Sequence, residues 1–236
     1  MSFLKEIYLY FFMHSSVYEL IGAIYGDGHI HSTENRITLV GSLEDYYYYT
    51  FYLKPIIEKI FPSVKVCIRR RNDRNSYYLS FESKDAFQKL QSFNLWRDAK
   101  DNLVLPFLPN SRSLKLFLRG LFDTDGSLKF SKQTRKINYY PRIQYAFKES
   151  QFSQNLGILL SRAGFIYCCW YDKRDKEYYY QISGENSLHR WVKTIGFSNP
   201  VHYSKYLYWR KFGYCIPKST LSFRTGALNL KIEALL

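Results

Sequence analysis

Two aspartates recur in one short context, Leu20-Ile21-Gly22-Ala23-Ile24-Tyr25-Gly26-Asp27-Gly28 and Leu118-Arg119-Gly120-Leu121-Phe122-Asp123-Thr124-Asp125-Gly126. The glycine after each aspartate predicts a helix that ends there, with Gly28 and Gly126 turning the chain through a left-handed conformation. Asp27 and Asp125 then fall in a last helical turn, where the dipole is negative. A carboxylate there is disfavoured by roughly 0.3–1 kcal/mol unless a cation compensates. Gly22 with Gly26, and Gly120 with Thr124, stand four residues apart, so each helix carries small residues on one face. Packing those faces together would bring both carboxylates to one spot beside carbonyls of the helix ends. Such oxygen donors suit a hard cation of the Mg²⁺ kind, which at a phosphodiester activates water and stabilises the leaving oxygen. One Asp-Gly after a helix is an ordinary turn; two in matching contexts are not.

The elements that must position these acids are also written twice. The two motifs lie 98 residues apart (125 against 27), and a Tyr/Arg/Lys-rich, strand-like stretch follows each. Leu53, Ile56, Ile57 and Ile60 then mark one apolar helical face, and Leu156, Leu159, Leu160 and Ala163 mark another 103 residues later (156 against 53). Strand pairs are predicted around 64–71 with 76–82 and around 166–172 with 177–183, each turning through a charged loop. A third helix pair ends at Phe87…Phe93 and Trp191…Phe197. The expectation is an α+β protein of two pseudo-twofold α-β-β-α-β-β-α repeats, with antiparallel sheets and the two motif helices at the centre. The first repeat covers 1–108 and the second 112–236, with a linker at about 101–111 carrying Pro106 and Pro109; the segment after 200 is an extra tail.

Composition narrows the partner. The 236 residues carry 34 Lys+Arg against 20 Asp+Glu, a net charge of +14, and 19% are aromatic. A surplus of that size calls for a polyanion, and nucleic acid answers it through counterion release. No stretch approaches the ~20 apolar residues of a membrane helix, and no targeting signal is evident in Ile7–Met13. The expected setting is intracellular, in the cytoplasm or nucleoid of a prokaryote or in an organelle. Cys67, Cys168, Cys169 and Cys215 have no zinc-type spacing and are expected to be reduced and mostly buried.

With these features in place, the two nonapeptides resemble the signature of the LAGLIDADG homing endonucleases in their single-chain, two-repeat form. The resemblance spans the chain through the order of elements, although its specific part is the two motifs. It implies that Asp27 and Asp125 are the metal-binding catalytic acids, that the carbonyls of Gly26 and Thr124 face the metals, and that Gly22 and Gly120 pack the helices. One departure is Tyr25, which stands where the second copy retains Asp123, and it puts helix packing in question. The resemblance also implies a lysine near each metal centre. Lys100 and Lys205, seven and eight residues beyond Phe93 and Phe197, are the candidates, with His202 beside the latter.

The remaining positive charge is patterned for grip and readout. Candidate DNA contacts on the strands are Arg36, Lys65, Arg69, Arg70, Arg71, Tyr77, Lys129, Arg142, Gln144 and Gln181. Loop-tip cations Arg74, Lys132, Arg135, Lys136, Lys173 and Arg174 are expected at phosphates. The reading is a monomeric, intron-encoded endonuclease that breaks both strands of a long DNA target with Mg²⁺, for which Mn²⁺ or Ca²⁺ can substitute in binding. The alternative is an intron RNA maturase of the same fold, which needs the basic surface but not the paired acids. A non-catalytic regulator fits less well, since both acids are intact.

Overall fold

The computed structural model describes residues 15–31, 34–72, 74–91, 93 and 103–236. The first repeat runs α1 (Val17–Asp27), β1 (Gly28–Ile30), β2 (Arg36–Ser42), a helical stretch ending in α2 (Lys54–Ile60), β3 (Cys67–Arg70), β4 (Ser76–Glu82) and α3 (Lys84–Gln91). The second runs α4 (Ser111–Asp125), β5 (Gly126–Ser131), β6 (Tyr140–Lys148), α5 (Gln151–Arg162), β7 (Cys168–Asp172), β8 (Glu177–Ser183) and α6 (Glu185–Thr194). Each repeat forms a four-stranded antiparallel sheet, ordered β1-β2-β4-β3 and β5-β6-β8-β7. The α+β architecture and the α-β-β-α-β-β-α order are as the repeats foretold.

Alternation along the strands decides which face is covered. Ile37, Leu39, Leu79 and Phe81 in the first sheet, and Leu128, Ile143, Tyr145, Tyr180 and Ile182 in the second, are buried under helices. The residues between them form the open faces. The stretch before α2 departs from a plain helix. It passes through a 3₁₀ turn (Leu43–Asp45), an α turn (Tyr46–Tyr48) and a π turn (Tyr49–Leu53). Pro55 accounts for the π turn, because it has no N–H to give residue 51 and its ring would press on that carbonyl.

Several expectations shift. Helix α4 starts at Ser111, capped by the Asn110 side chain, inside the expected linker. Leu103 and Leu108 of that linker are buried. The Leu103 carbonyl accepts from Phe152 N at 2.7 Å, and the Leu108 carbonyl from Arg162. Helices α3 and α6 stop at Gln91 and Thr194, so Phe93 and Phe197 sit just beyond them. Of the cysteines only Cys215 is buried; Cys168 and Cys169 are exposed on edge strand β7 and Cys67 is half-buried on β3.

The tail forms α7 (Pro200–Phe212), α8 (Leu221–Leu228) and a short turn, Ile232–Leu235. It ties the repeats together: Trp209 Nε1 donates to the Tyr139 carbonyl at 2.7 Å, and Leu221 N donates to Glu44 of the first repeat. Arg224, fully buried, donates from Nε to Ser204 and through its guanidinium to the Val201 and Ser219 carbonyls, locking α8 onto α7. Among the described residues no helix is long and apolar enough to cross a membrane.

Candidate metal centre and nucleic-acid interface

Helices α1 and α4 pack backbone against backbone, and glycine makes this possible. A Cβ on Gly22 would lie 2.1 Å from the Phe117 carbonyl oxygen, and one on Gly120 would lie 2.0 Å from that of Glu19. A Cβ on Gly26 would lie 2.1 Å from Thr124 Oγ1 and 3.1 Å from Asp125 Cβ. The C-terminal end of α1 therefore abuts that of α4, with Asp27 and Asp125, both partly exposed, as their last residues.

The expected left-handed turns are absent. Gly28 has φ −75° and ψ 148°, and Gly126 has φ −84° and ψ 164°, so both chains leave their helices directly as extended strands. Glycine is needed there for space instead. A Cβ would meet the Ile24 carbonyl at 2.3 Å in one copy and the Phe122 ring at 2.2 Å in the other. The straight exit lets each acid stand at the junction of helix and open sheet face.

This junction fits a divalent cation by its chemistry. Two carboxylates share the negative ends of two helices, where terminal carbonyls have no partner further along the helix. Among the described residues, no three His, Cys, Asp or Glu side chains converge on one point. A cation between the helices would thus draw on Asp27, Asp125 and backbone oxygens such as those of Gly26 and Thr124.

Behind the acids lies a buried polar layer that single-residue reasoning did not find. Glu19 on α1 is 1% exposed, yet it receives Arg119 Nε at 2.7 Å, Tyr52 Oη at 3.0 Å and Ser198 Oγ at 2.8 Å. Three of these donors cross the repeat boundary, two from Arg119 (counting its Nη2 bond to the same carboxylate) and one from Ser198, while Tyr52 joins from the first repeat itself. Asn199 Nδ2 donates to both Asp45 Oδ1 at 2.8 Å and the Asp123 carbonyl at 2.9 Å. Tyr49 is buried with its hydroxyl unpartnered; burial raises its pKa first, and the charges of Asp27 and Asp45 raise it further. Asp45 and Tyr49 therefore belong to the surroundings of Asp27. The only hint in the sequence is the run Tyr46–Tyr49.

Tyr25 and Asp123 turn out to do one job with opposite polarity. Tyr25 Oη donates to the Phe93 carbonyl at 2.9 Å and the Val104 carbonyl at 3.1 Å. Asp123 Oδ2 accepts from Ser198 N at 2.7 Å, next to the matching Phe197. Each fastens the segment that follows its repeat's third helix, so the departure at Tyr25 does not loosen the helix pair. Burial raises the Asp123 pKa well above the usual carboxylate range, and Glu19 adds to this, while Ser198 and Arg119 pull the other way. A folded-state pKa above the unfolded one gives stability that is full at low pH. It is lost as pH rises from the ordinary carboxylate range through the raised value. Asp123→Asn is therefore expected to gain on the wild type by a few degrees of Tm (about 2–4 °C per kcal/mol) between pH 5 and pH 8. Thermal melts at the two pH values check it, and an unchanged gap would mean that Asp123 is ionised in the fold.

The remaining candidates scatter. Lys205 is half-buried on α7; burial and Arg224 lower its pKa, while Cys215, Glu44 and Asp45 raise it. His202 is buried against Phe122 at 4.9 Å, and its neutral form is favoured by burial and by the charges of Lys205 and Arg224, which makes it a packing residue. Lys100 lies outside the described residues. Arg36, Arg69, Lys129, Arg142, Gln144 and Gln181 alternate onto the open sheet faces. Arg36 is tied to Glu34 and Glu82, Lys129 to Gln144, and Arg142 to Gln181.

Two strand assignments are corrected by register. Tyr77 and Arg70 pair with each other, in phase with Leu79 and Ile68, so both belong to the helix side of the sheet; Tyr77 packs on Tyr46 at 5.0 Å. Tyr78 takes the open face instead. Lys65 and Arg71 flank β3 beside a 590 Å³ concavity of that face. Arg74, Lys132, Arg135, Lys136, Lys173 and Arg174 occupy turns and loops; Arg174 is held by Asp172 at 2.9 Å and Arg135 lies over the Tyr139 ring.

Known proteins share the fold. A family model for a LAGLIDADG-like domain matches residues 113–196. The crystal structure of I-DmoI with DNA and Mn aligns with TM-score 0.55 and 18% identity, covering 78% of this chain and 97% of that one. A variant of I-DmoI on its target DNA with Mg gives TM-score 0.54 at 18% identity over 77% and 96%; I-DmoI is described as a homing endonuclease. Full-length DUF199/WhiA from Thermatoga maritima gives TM-score 0.55 at 12% identity over 94% and 87%. No curated protein sequence matches. The chain has the two-repeat LAGLIDADG fold.

Proposed function

We propose that this protein is a site-specific DNA endonuclease that makes a divalent-cation-dependent double-strand break in a long target. The observation that carries this reading is the junction of α1 and α4, where glycine-mediated contact sets Asp27 and Asp125 side by side at two helix ends. The DNA, Mn and Mg named with the I-DmoI structures, which share this fold, support it. Asp27 and Asp125 hold Mg²⁺, or Mn²⁺ or Ca²⁺ for binding, with the carbonyls of Gly26 and Thr124. The bound cation supplies a polarised water and neutralises charge at the phosphate. The two open sheet faces hold the duplex on either side, and each repeat contributes one acid to the shared centre. Lys205 is the candidate for orienting water or phosphate, its ammonium desolvated by burial.

The protein acts as a monomer, since both acids are in one chain, and it is encoded within an intron of its host gene. A purely binding role or an intron RNA maturase needs the basic surface but not the acids, and the intact pair Asp27 and Asp125 favours the nuclease. The test is incubation with a supercoiled plasmid carrying the joined sequences that flank the reading frame. Linear product in Mg²⁺ or Mn²⁺ and none in EDTA is expected. Lys205→Ala should bind that DNA normally and cut it about 10–100-fold more slowly. Wild-type binding without a cut in either metal would leave the maturase reading.

A further inference from the structure

The two open faces differ at one pair of matching positions. In the first sheet Arg69 on β3 is directly opposite Tyr78 on β4. In the second Trp170 on β7 is opposite Tyr179 on β8, at the same place in the same strand order. Arg69 is exposed on the open face beside Tyr78. Trp170 is 41% exposed, and its indole lies flat on Tyr179, with planes 4° apart and centroids at 5.2 Å. One sheet thus offers a guanidinium fork where the other offers a rigid apolar plate.

Resting on the endonuclease reading above, we propose that these pairs set different base preferences at matching positions of the two half-sites. Guanine is preferred beneath Arg69–Tyr78, and thymine, recognised by its methyl group, beneath Trp170–Tyr179. In the major groove the guanine edge offers two acceptors to an arginine fork, whereas the C5 methyl of thymine is the only apolar group on any base edge. An indole face can neither donate nor accept a hydrogen bond, so the methyl is what it can select. Stacking on Tyr179 fixes the plate before binding and spares the cost of ordering it. The neighbours agree: Gln181, two positions along β8 on the same face, and Gln144 beside it carry the amide that suits adenine. Around Arg69 the same face carries Arg36 and Lys65. The expected target is richer in A·T under the second repeat.

A stacked cross-strand pair can also serve only to stabilise a sheet, so the test needs a readout that stability does not move. Selection from a randomised target library should enrich thymine at one position, and Trp170→Ala should lose the enrichment there alone. Replacing that thymidine by deoxyuridine, which removes only the methyl, should weaken wild-type binding about three- to fivefold, the value of one buried methyl group. Trp170→Arg should instead select guanine at that position and ignore the deoxyuridine change. Arg69→Ala should lose guanine selection at the matching position of the other half-site. Trp170→Phe keeps the plate and should keep thymine, which guards against loss of fold in the arginine variant. Site-specific cutting with no thymine preference lost in Trp170→Ala, or no deoxyuridine effect in the wild type, overturns this assignment alone. Absence of any selected site in the wild type overturns the endonuclease reading beneath it.

Discussion

Asp125→Asn is expected to bind the DNA target as tightly as the wild type, or more tightly, while cleaving it on the order of a thousandfold more slowly, as loss of several kcal/mol of charge stabilisation requires. The substitution keeps the shape of the side chain and removes its charge. Asp125 is at the end of α4, partly exposed and packed beside Gly26, so the amide fits the same space without a new clash. Helix stability should not fall, because removing a negative charge from a helix C-terminus relieves an unfavourable dipole interaction. The loss is confined to cation affinity and to the reaction. Asp27→Asn should behave alike, and because the acids share one junction, either single change should impair both strands rather than convert the enzyme into an efficient nickase. Single-turnover cleavage of a supercoiled plasmid separates the outcomes. Near-wild-type rates in both variants would remove the acids from the mechanism; rapid accumulation of nicked circles would give each acid its own strand.

What the sequence discloses here follows from what repetition can disclose. Asp27 and Asp125 were readable because a duplicated motif turns a common dipeptide into a pattern, and Gly22 and Gly120 because helical spacing needs no tertiary knowledge. The glycines after the acids serve a different need from the one their position suggests. Glycine signals either a left-handed turn or a missing side chain, and only the nearness of Ile24 and Phe122 shows that space decides here. Tyr77 was misplaced for a similar reason: in a run of two tyrosines, one residue of register moves the side chain through the sheet. The Glu19 layer was illegible because its members come from residues 19, 52, 119 and 198, and no local pattern marks a carboxylate whose donors are so far apart in the chain. The tail was illegible because it has no counterpart in the first repeat, and its anchor, Arg224, looks like any surface arginine until the fold buries it.

Gly120→Ala should be among the most damaging small substitutions in the chain. In a helix interior, alanine is ordinarily better than glycine by about 0.8–1.0 kcal/mol, so propensity alone predicts a gain. Packing reverses the sign. The added methyl would lie 2.0 Å from the Glu19 carbonyl oxygen, 2.9 Å from its carbon and 3.0 Å from Ala23 N, all of them backbone atoms that cannot swing aside. Relief requires α1 and α4 to separate by roughly an ångström along their contact, which opens the core beside Leu20, Ile24, Phe117 and Leu121, all fully buried. Overpacking usually costs 1–3 kcal/mol when side chains can yield; here the obstacle is main chain, and about 3–5 kcal/mol is expected. That is a large part of a typical 5–15 kcal/mol, and it should lower Tm by about 6–20 °C. Gly226 is the control: it lies in α8 with nothing within 4 Å of its added Cβ, so Gly226→Ala should be neutral or slightly stabilising. Melting the two variants beside the wild type decides between propensity and packing, and a Gly120→Ala Tm within about 2 °C of the wild type would refute the close approach. The same separation would carry Asp125 away from Gly26, so cleavage by Gly120→Ala should fall even at temperatures where the variant stays folded. Loss of activity without loss of fold would show that the backbone contact serves the metal centre as well as the core.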